Sequence, residues 1–396
     1  MKKFIPIIGL VFLFVFSSFI HISLGYNVEI SDIIEQQLTF IATKEYLPHE
    51  PIYIDGNIGF IVGQNGIVSG NGTYEDPYLI KGWEINASTS IGIYIKNCDV
   101  YFVIDDCFIH DGGSNHSGIV FQNVINGIIN QMNILENYGG IILDSKCKKI
   151  TISNCSVFYN YLNGIISEGS MINIIDNYIS YNLRKGIDFY SINSTNNYNI
   201  IKGNIISNNK NSGIDVSDTY NSTFNKNIIF SNLLGITLSY SNDNIIVDNA
   251  INSNLDSGIY LYSCFKNNIS QNNISKNGQG IEFIRSNNNY LFKNNIDSNK
   301  YYNIWFYGWS NKNVITINNI TNSKIGIYFP EACFNKIQQN NLIKNQFNVF
   351  FMSSPNSLDE NYWGRVRIFP KVIFGTILFV PWINIDWHPA KEPYDI

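Results

Sequence analysis

Asp188 and Asp215 are the residues best placed for chemistry. Each stands two positions after the leading Gly of a Gly-Ile unit, and the two units are consecutive. If such units are stacked strands, the two carboxylates lie about 5 Å apart at the backbone. At that separation a carboxylate pair can act as nucleophile and acid in a retaining glycosidase, and mutual repulsion raises one of the two pKa values. Arg184 and Lys185, just upstream, would neutralise a uronic acid. The step from Gly186 to Gly213 is longer than its neighbours, so a loop near Ser191 to Tyr198 is expected to bulge beside the pair. Against this stands the simpler view of two solvated acids on a strand.

Residues two and four places after each leading Gly should point outward from a strand. The first such column runs Asp188, Asp215, Thr237, Tyr260, Glu282, Trp305, Tyr328 and Phe350, and the second includes Glu168, Tyr190, Tyr262 and Tyr307. Exposed aromatics spaced by one coil can stack on sugar rings, and carboxylates can bond sugar hydroxyls. Tyr190, Tyr260, Tyr262, Glu282, Trp305, Tyr307 and Tyr328 are therefore the candidate ligand-binding residues. Aromatics also suit strands with no ligand involved. Asp105, Asp106, His110, Asp111 and His116 form a second cluster, and His110, Asp111 and His116 are weak candidates for a divalent metal. No metal or cofactor is expected, because the cluster sits in a Gly-containing loop and the chain has only five His. There is no His-rich or Met-rich tract for copper.

The elements that would position these residues come from a repeat. Gly-Ile, or Asn in place of Gly, recurs at Gly92, Gly118, Gly140, Gly164, Gly186, Gly213, Gly235, Gly258, Gly280, Asn303, Gly326 and Asn348. Most steps are roughly 22 to 23 residues, the period of a stacked solenoid. A second register confirms it. Ile229, Ile251, Ile274 and Ile296 each follow an Asn two places back (Asn227, Asn249, Asn272, Asn294) and precede an Asn three places on (Asn232, Asn254, Asn277, Asn299). Asn accepts left-handed backbone in a tight turn, and its amide can bond its counterpart one coil away. Residues one and three after each Gly should point inward, stacking Phe283, Phe306, Phe329 and Phe351 along the axis. Three short strands per period fit; a helix does not. The fold expected is all-β, one solenoid of about twelve coils.

The Gly-Ile-x-apolar and Asn-x-Ile-x-x-Asn units, over about residues 85 to 352, resemble the repeats of the NosD-like and carbohydrate-binding or sugar-hydrolase group of pectin-lyase-like proteins. The segment Gly72-Thr73-Tyr74-Glu75-Asp76-Pro77-Tyr78-Leu79-Ile80-Lys81-Gly82-Trp83 also resembles an entry motif of that group. The resemblance implies a single-stranded right-handed parallel β-helix; the handedness comes from it and not from the spacing. The Gly-His-Gly with downstream Arg-x-Lys of polygalacturonases and the Arg-x-Pro of pectate lyases are missing here.

Around the repeat, residues 1–25 read as a signal peptide or N-terminal anchor: Lys2 and Lys3 precede an apolar run from Phe4 to Leu24. Residues 26–84 read as an N-terminal cap, with a short helix around Ile30 to Gln37 and a strand-like run from Ile52 to Asn57 that ends in a turn. Residues 353–396 read as a C-terminal cap that folds over the last coil. The formal net charge of −5 and the lack of a basic face exclude nucleic acid as a partner. The six cysteines do not fall in adjacent coils within either of their columns, so buried thiols are expected, not disulfides. Asn71, Asn86, Asn115, Asn193 and Asn221 are sequons. The function expected is an exported or cell-surface protein that binds a polysaccharide or surface glycan on its acidic and aromatic face, with membrane contact only through an uncleaved N-terminal segment. The alternatives are a glycan hydrolase or lyase acting at Asp188 and Asp215, and a structural or adhesive rod.

Overall fold

The computed structural model describes residues 44–191, 197–352, 356–377 and 380–396. The apolar opening segment, the helix expected around Ile30 to Gln37, the sequon Asn193 and most of the loop expected after Ser191 lie outside the described residues.

Each repeat folds into three short strands. In the unit beginning at Ser257 they are Ser257–Tyr262, Asn268–Ser270 and Asn273–Ser275. Every strand pairs in parallel with its equivalent one coil on, placing Ile259 beside Ile281, Ile269 beside Leu291 and Ile274 beside Ile296. Repetition gives three sheets of 13, 14 and 13 strands among the described residues, parallel except where Ile67–Ser69 joins the end of the 14-stranded one antiparallel. The stack extends past the Gly-led units at both ends: Ile52–Asp55 pairs with Ile93–Cys98, and Ser357–Asp359 pairs with Lys336–Gln338. Because strand side chains alternate, one apolar residue from each short strand enters the bore, and Ile259, Ile269 and Ile274 are all fully buried. The phenylalanines stack within it, with Phe283 and Phe306 4.6 Å apart at 9° and Phe306 and Phe329 4.9 Å apart at 10°.

Three corners join the strands, and each carries a polar column. Asn249 shows the pattern. Its Oδ1 accepts the backbone N–H of Asn227 at 2.9 Å and the Nδ2 of Asn227 at 3.0 Å, while its own Nδ2 donates to the Phe224 carbonyl and to Asn272 Oδ1, both at 2.9 Å. The column continues through Asn294, Asn318, Asn340 and Asn361. A second runs from Asn160 through Asn182, Asn209, Asn232, Asn254 and Asn277 to Asn299. A third, Asn244, Asn267, Asn289, Asn313, Asn335 and Asn356, escaped the sequence reading although it keeps the same period. One expectation is corrected. The left-handed residue of each corner is not the ladder Asn but the one before it, as at Asp248 (φ 56°), Gln271 (57°) and even Ile317 (55°). That placement leaves the Asn backbone free to aim its amide along the axis. The leading Gly answers to crowding, not to φ: a Cβ at Gly258 would meet the Gly280 carbonyl at 2.8 Å and Asn277 Nδ2 at 2.9 Å.

Cys107 and Cys155 stand in the first amide column, whereas Cys264 stands in a separate row, where its backbone N–H donates to Ser286 Oγ at 3.0 Å. None of the six is in a disulfide, and Cys155 passes its backbone N–H to Asn177 Oδ1 at 2.9 Å. Burial pushes the Cys98, Cys107, Cys147, Cys155 and Cys264 thiols up to about 12. At the N-terminal end Ile67–Ser69 runs antiparallel to Tyr78–Lys81, and Phe60 packs on Tyr78 and Phe102. At the other end the hairpin Lys371–Ile377 and Val380–Asp386 brings Asp386 to the end of the Asn column. There the Asp386 carboxylate accepts the Asn361 backbone N–H at 3.0 Å and Trp363 Nε1 at 2.9 Å.

Removing one ladder amide strands buried donors and acceptors, each costing about 1–3 kcal/mol. Asn249→Ala is therefore expected to lower the unfolding free energy by about 3 kcal/mol. Asn295→Ala, at an exposed position, should change it by less than about 0.5 kcal/mol. Urea unfolding followed by circular dichroism checks both.

Candidate functional site

The Gly-led strands carry the candidate residues on their outer face, in register from rung to rung. Asp188 sits beside Asp215, Asp215 beside Thr237, and the row continues through Tyr260, Glu282, Trp305, Tyr328 and Phe350. A row this regular follows from strand register and not from equal coil length, since Asp188 meets Asp215 across a longer step than Asp215 meets Thr237, and a slip of one residue would turn each side chain into the bore.

Asp188 and Asp215 are brought together, with Lys185 between them. Lys185 Nζ lies 3.0 Å from Asp188 Oδ1 and 3.2 Å from Asp215 Oδ2. Asn163 Nδ2 donates to the other Asp188 oxygen at 2.9 Å, and Ser212 Oγ donates to Asp215 Oδ2 at 3.3 Å. Burial pushes the Asp188 carboxyl above the ordinary carboxylate range; Lys185 opposes the rise and the charge of Asp215 adds to it. For Lys185 burial acts downward, but the two carboxylates outweigh it and its pKa ends above the ordinary lysine value. The group is a half-buried ion triad whose cation is already shared. Arg184 is exposed and forms no ion pair among the described residues.

The aromatic half of the row is more crowded than the alternation of the strands implies. Glu282, expected at the surface, is 6% exposed and accepts Ser257 Oγ at 2.7 Å. Burial between the rings of neighbouring rungs pushes its carboxyl up, with Ser257 opposing. Tyr260 and Trp305 are half-buried on either side of it. Tyr302 packs against Trp305 at 5.4 Å and stacks on Tyr328 at 5.2 Å. Tyr328 is tied by its hydroxyl to Met352 Sδ at 3.1 Å. Tyr190 lies apart and donates its hydroxyl to Glu168 Oε1 at 2.7 Å. The side chains of this set that reach solvent at the C-terminal end are at the edge. Tyr307 is 43% exposed, and Tyr262 meets Tyr240 edge to face at 5.4 Å.

That edge opens into a cavity of about 630 Å³ that the strand columns did not reveal. It is lined by Arg285, Asn287, Gly308, Trp309, Asn311 and Glu331, and Trp309 is 73% exposed. These are corner residues that follow the outward strands, Arg285 after Ile284 and Trp309 two places after Tyr307. Their signal in the sequence was an aromatic and a cation in the turn itself.

Of the metal candidates, only His110 and Asp111 are seen to meet among the described residues. His110 lies 3.3 Å from Glu84 Oε1 and 3.1 Å from Asp111 Oδ2, while His116 Nδ1 faces the Ala87 carbonyl at 3.1 Å. Asp105 pairs with Lys81 at 2.7 Å. Among the described residues no group of three or more His, Cys, Asp or Glu is arranged to hold a metal ion.

Titration tests the triad. With its folded pKa raised, Asp188 makes the native state hold more protons than the unfolded chain between the ordinary carboxylate range and the raised value, so stability falls as pH rises through that window. Lys185, also raised, contributes stability that is complete below the ordinary lysine value and lost as pH climbs past its folded value. Asp188→Asn should flatten the fall on the acid side and also shrink the alkaline limb, because it removes one of the two carboxylates that raise Lys185, read by urea unfolding across a pH series.

No curated protein matches this sequence. Among solved structures, the A-module of the Azotobacter vinelandii mannuronan C-5 epimerase AlgE6 is similar at a TM-score of 0.51 and 13% identity, over 83% of this chain and 92% of that one. A double mutant of the periplasmic alginate epimerase AlgG is similar at a TM-score of 0.55 and 17% identity, over 71% and 82%. Both likenesses are of fold. The family described as the right handed beta helix region matches residues 52–194 and again 139–295. Those matches together span more than half of the sequence, and the chain belongs to that right-handed β-helix family.

Proposed function

We propose that this chain is an exported β-helix protein that binds carbohydrate at the C-terminal part of its Gly-led sheet, on the edge formed by Tyr262, Tyr307 and Trp309. The observation that carries the proposal is the cavity of about 630 Å³ where the exposed Trp309 stands beside Arg285 and Glu331. A flat apolar ring next to one cation, one carboxylate and two amides matches a sugar, which has an apolar ring face and a rim of hydroxyls. Two structures of similar fold are named as epimerases of mannuronan and of alginate, which agrees with a polysaccharide ligand. The basic and apolar opening of the chain supports export, as does the periplasmic location in the name of one similar structure.

Catalysis at Asp188 and Asp215 is the second reading. It is favoured by the raised Asp188 pKa beside a second carboxylate. A retaining glycosidase needs one carboxylate free to attack. Lys185 already occupies both, so binding ranks above cleavage.

A polysaccharide array with the full chain separates the two. Binding without released sugar, weakened about tenfold in Trp309→Ala, is the expected result; one stacking contact accounts for a change of that size. Released product that disappears in Asp188→Asn would establish the second reading instead. Retention unchanged in Trp309→Ala would sink the Trp309 site.

A further inference from the structure

A second cavity, of about 410 Å³, lies on a different sheet toward the N-terminal end. Its floor is built from three residues in register on consecutive rungs, Ile128, Thr151 and Asn173. One wall is a column of corner residues, Asn126, Lys149, Met171 and Tyr198, each two places before the strand residue of its rung. All four are held in left-handed backbone, with φ of 67°, 54°, 57° and 49°. Tyr74 and Tyr101, edge to face at 5.5 Å, stand toward the preceding rung. Tyr198 stands toward the following one, before Ile200, which pairs with Asn173. The cavity thus runs along the axis across about four rungs, roughly 14 Å at the spacing of paired strands.

Its charge sets it apart from the rest of the chain. The protein carries a net −5, yet Lys149 is the one charged residue among those lining this cavity. None of the ion pairs among the described residues involves it. Asp99 touches the wall only through its backbone carbonyl, which accepts Asn126 Nδ2, and turns its carboxylate to Asn57 Nδ2 at 2.7 Å. An elongated trough with an exposed tyrosine ring at each end, a hydroxyl and an amide on the floor and an unshared cation in the wall is complementary to a short acidic sugar chain. Tyr74 is 75% exposed and Tyr198 52%, so both rings are available to stack.

We propose that this cavity is a binding site for an acidic oligosaccharide, with a ligand carboxylate paired to Lys149 and sugar faces laid against Tyr74 and Tyr198. The site rests on its own residues and stands or falls separately from the Trp309 cavity.

Calorimetric titration of the full chain with tetragalacturonate, and with neutral maltotetraose as control, tests it. Tetragalacturonate should bind in preference to maltotetraose and lose affinity as salt rises. Lys149→Asn removes the charge with a residue that accepts left-handed backbone, so the fold should persist. It should weaken tetragalacturonate about fivefold, the worth of one exposed ion pair, and flatten the salt dependence. Tyr74→Ala should weaken it too, and both losses should persist in a Trp309→Ala background, where the other cavity no longer contributes. The proposal is overturned if tetragalacturonate does not bind at millimolar concentration, if Lys149→Asn binds it as the parent does, or if its binding is lost in Trp309→Ala instead.

Discussion

Everything in this molecule depends on satisfying the backbone where the strands turn. At each corner the chain bends through a left-handed residue, and the N–H that follows is buried out of reach of the sheet ladder. Water is excluded there, so the donor must find a protein acceptor. The Asn of the next coil supplies it, and its own Nδ2 in turn bonds the coil behind and the coil ahead. An acceptor drawn from the neighbouring coil works only when every coil takes the same path. The amide columns therefore act as a gauge on the path at each corner and not on coil length, since they continue unbroken across the longer step from Asn177 to Asn204, and one more or one fewer residue in the corner would break three bonds at once.

Placement of the surface residues follows from that gauge. Because Asn227, Asn249 and Asn272 are held one above the next, the strands between them cannot slip, and a slip would exchange the inner and outer faces. Asp188 lands beside Asp215, and Glu282 between Tyr260 and Trp305, as consequences of register. The columns also show how the stack ends. Cys155 donates its backbone N–H to the column through Asn177, and Asp386 closes its far end with a carboxylate that accepts from both Asn361 and Trp363. Where Asn303 replaces the leading Gly, its Oδ1 accepts Asn299 Nδ2 at 2.9 Å, so the substitution feeds the same network.

The period, the inward Phe column and two of the three amide columns are legible in the sequence because they are strictly local patterns repeated. The third column was equally regular; five residues ahead of the first, it was hidden among other asparagines in an Asn-rich chain. The left-handed residue was assigned to the wrong neighbour because residue type favours Asn there, whereas the ladder outweighs that preference and leaves Lys, Gln or Ile to take the strain. For the surface, alternation gives direction but not exposure. Glu282 does point away from the bore, yet the rings of adjacent rungs close over it, and nothing in one strand foretells what its neighbours cover. Trp309 was missed for the complementary reason, since it lies in a corner where alternation has no meaning.

The two cavities share a physical advantage that their shallow shape conceals. Each is lined partly by corner residues whose backbone is fixed by amide bonds on both sides, such as Asn311, whose Oδ1 accepts the Cys333 N–H at 2.7 Å. A ligand meeting such a surface has little chain to order, and the entropy of ordering is a large part of what binding costs. Side chains set at one rung per coil also offer contacts at a fixed repeat, so the match to a polymer with its own repeat accumulates along the axis. Separate sheets can then present different charge to such polymers, with Glu331 and Arg285 at one cavity and an unshared Lys149 at the other. Stacked coils held by buried amides can thus carry unlike binding surfaces side by side, because changing an outward residue leaves the columns that fix the coil untouched.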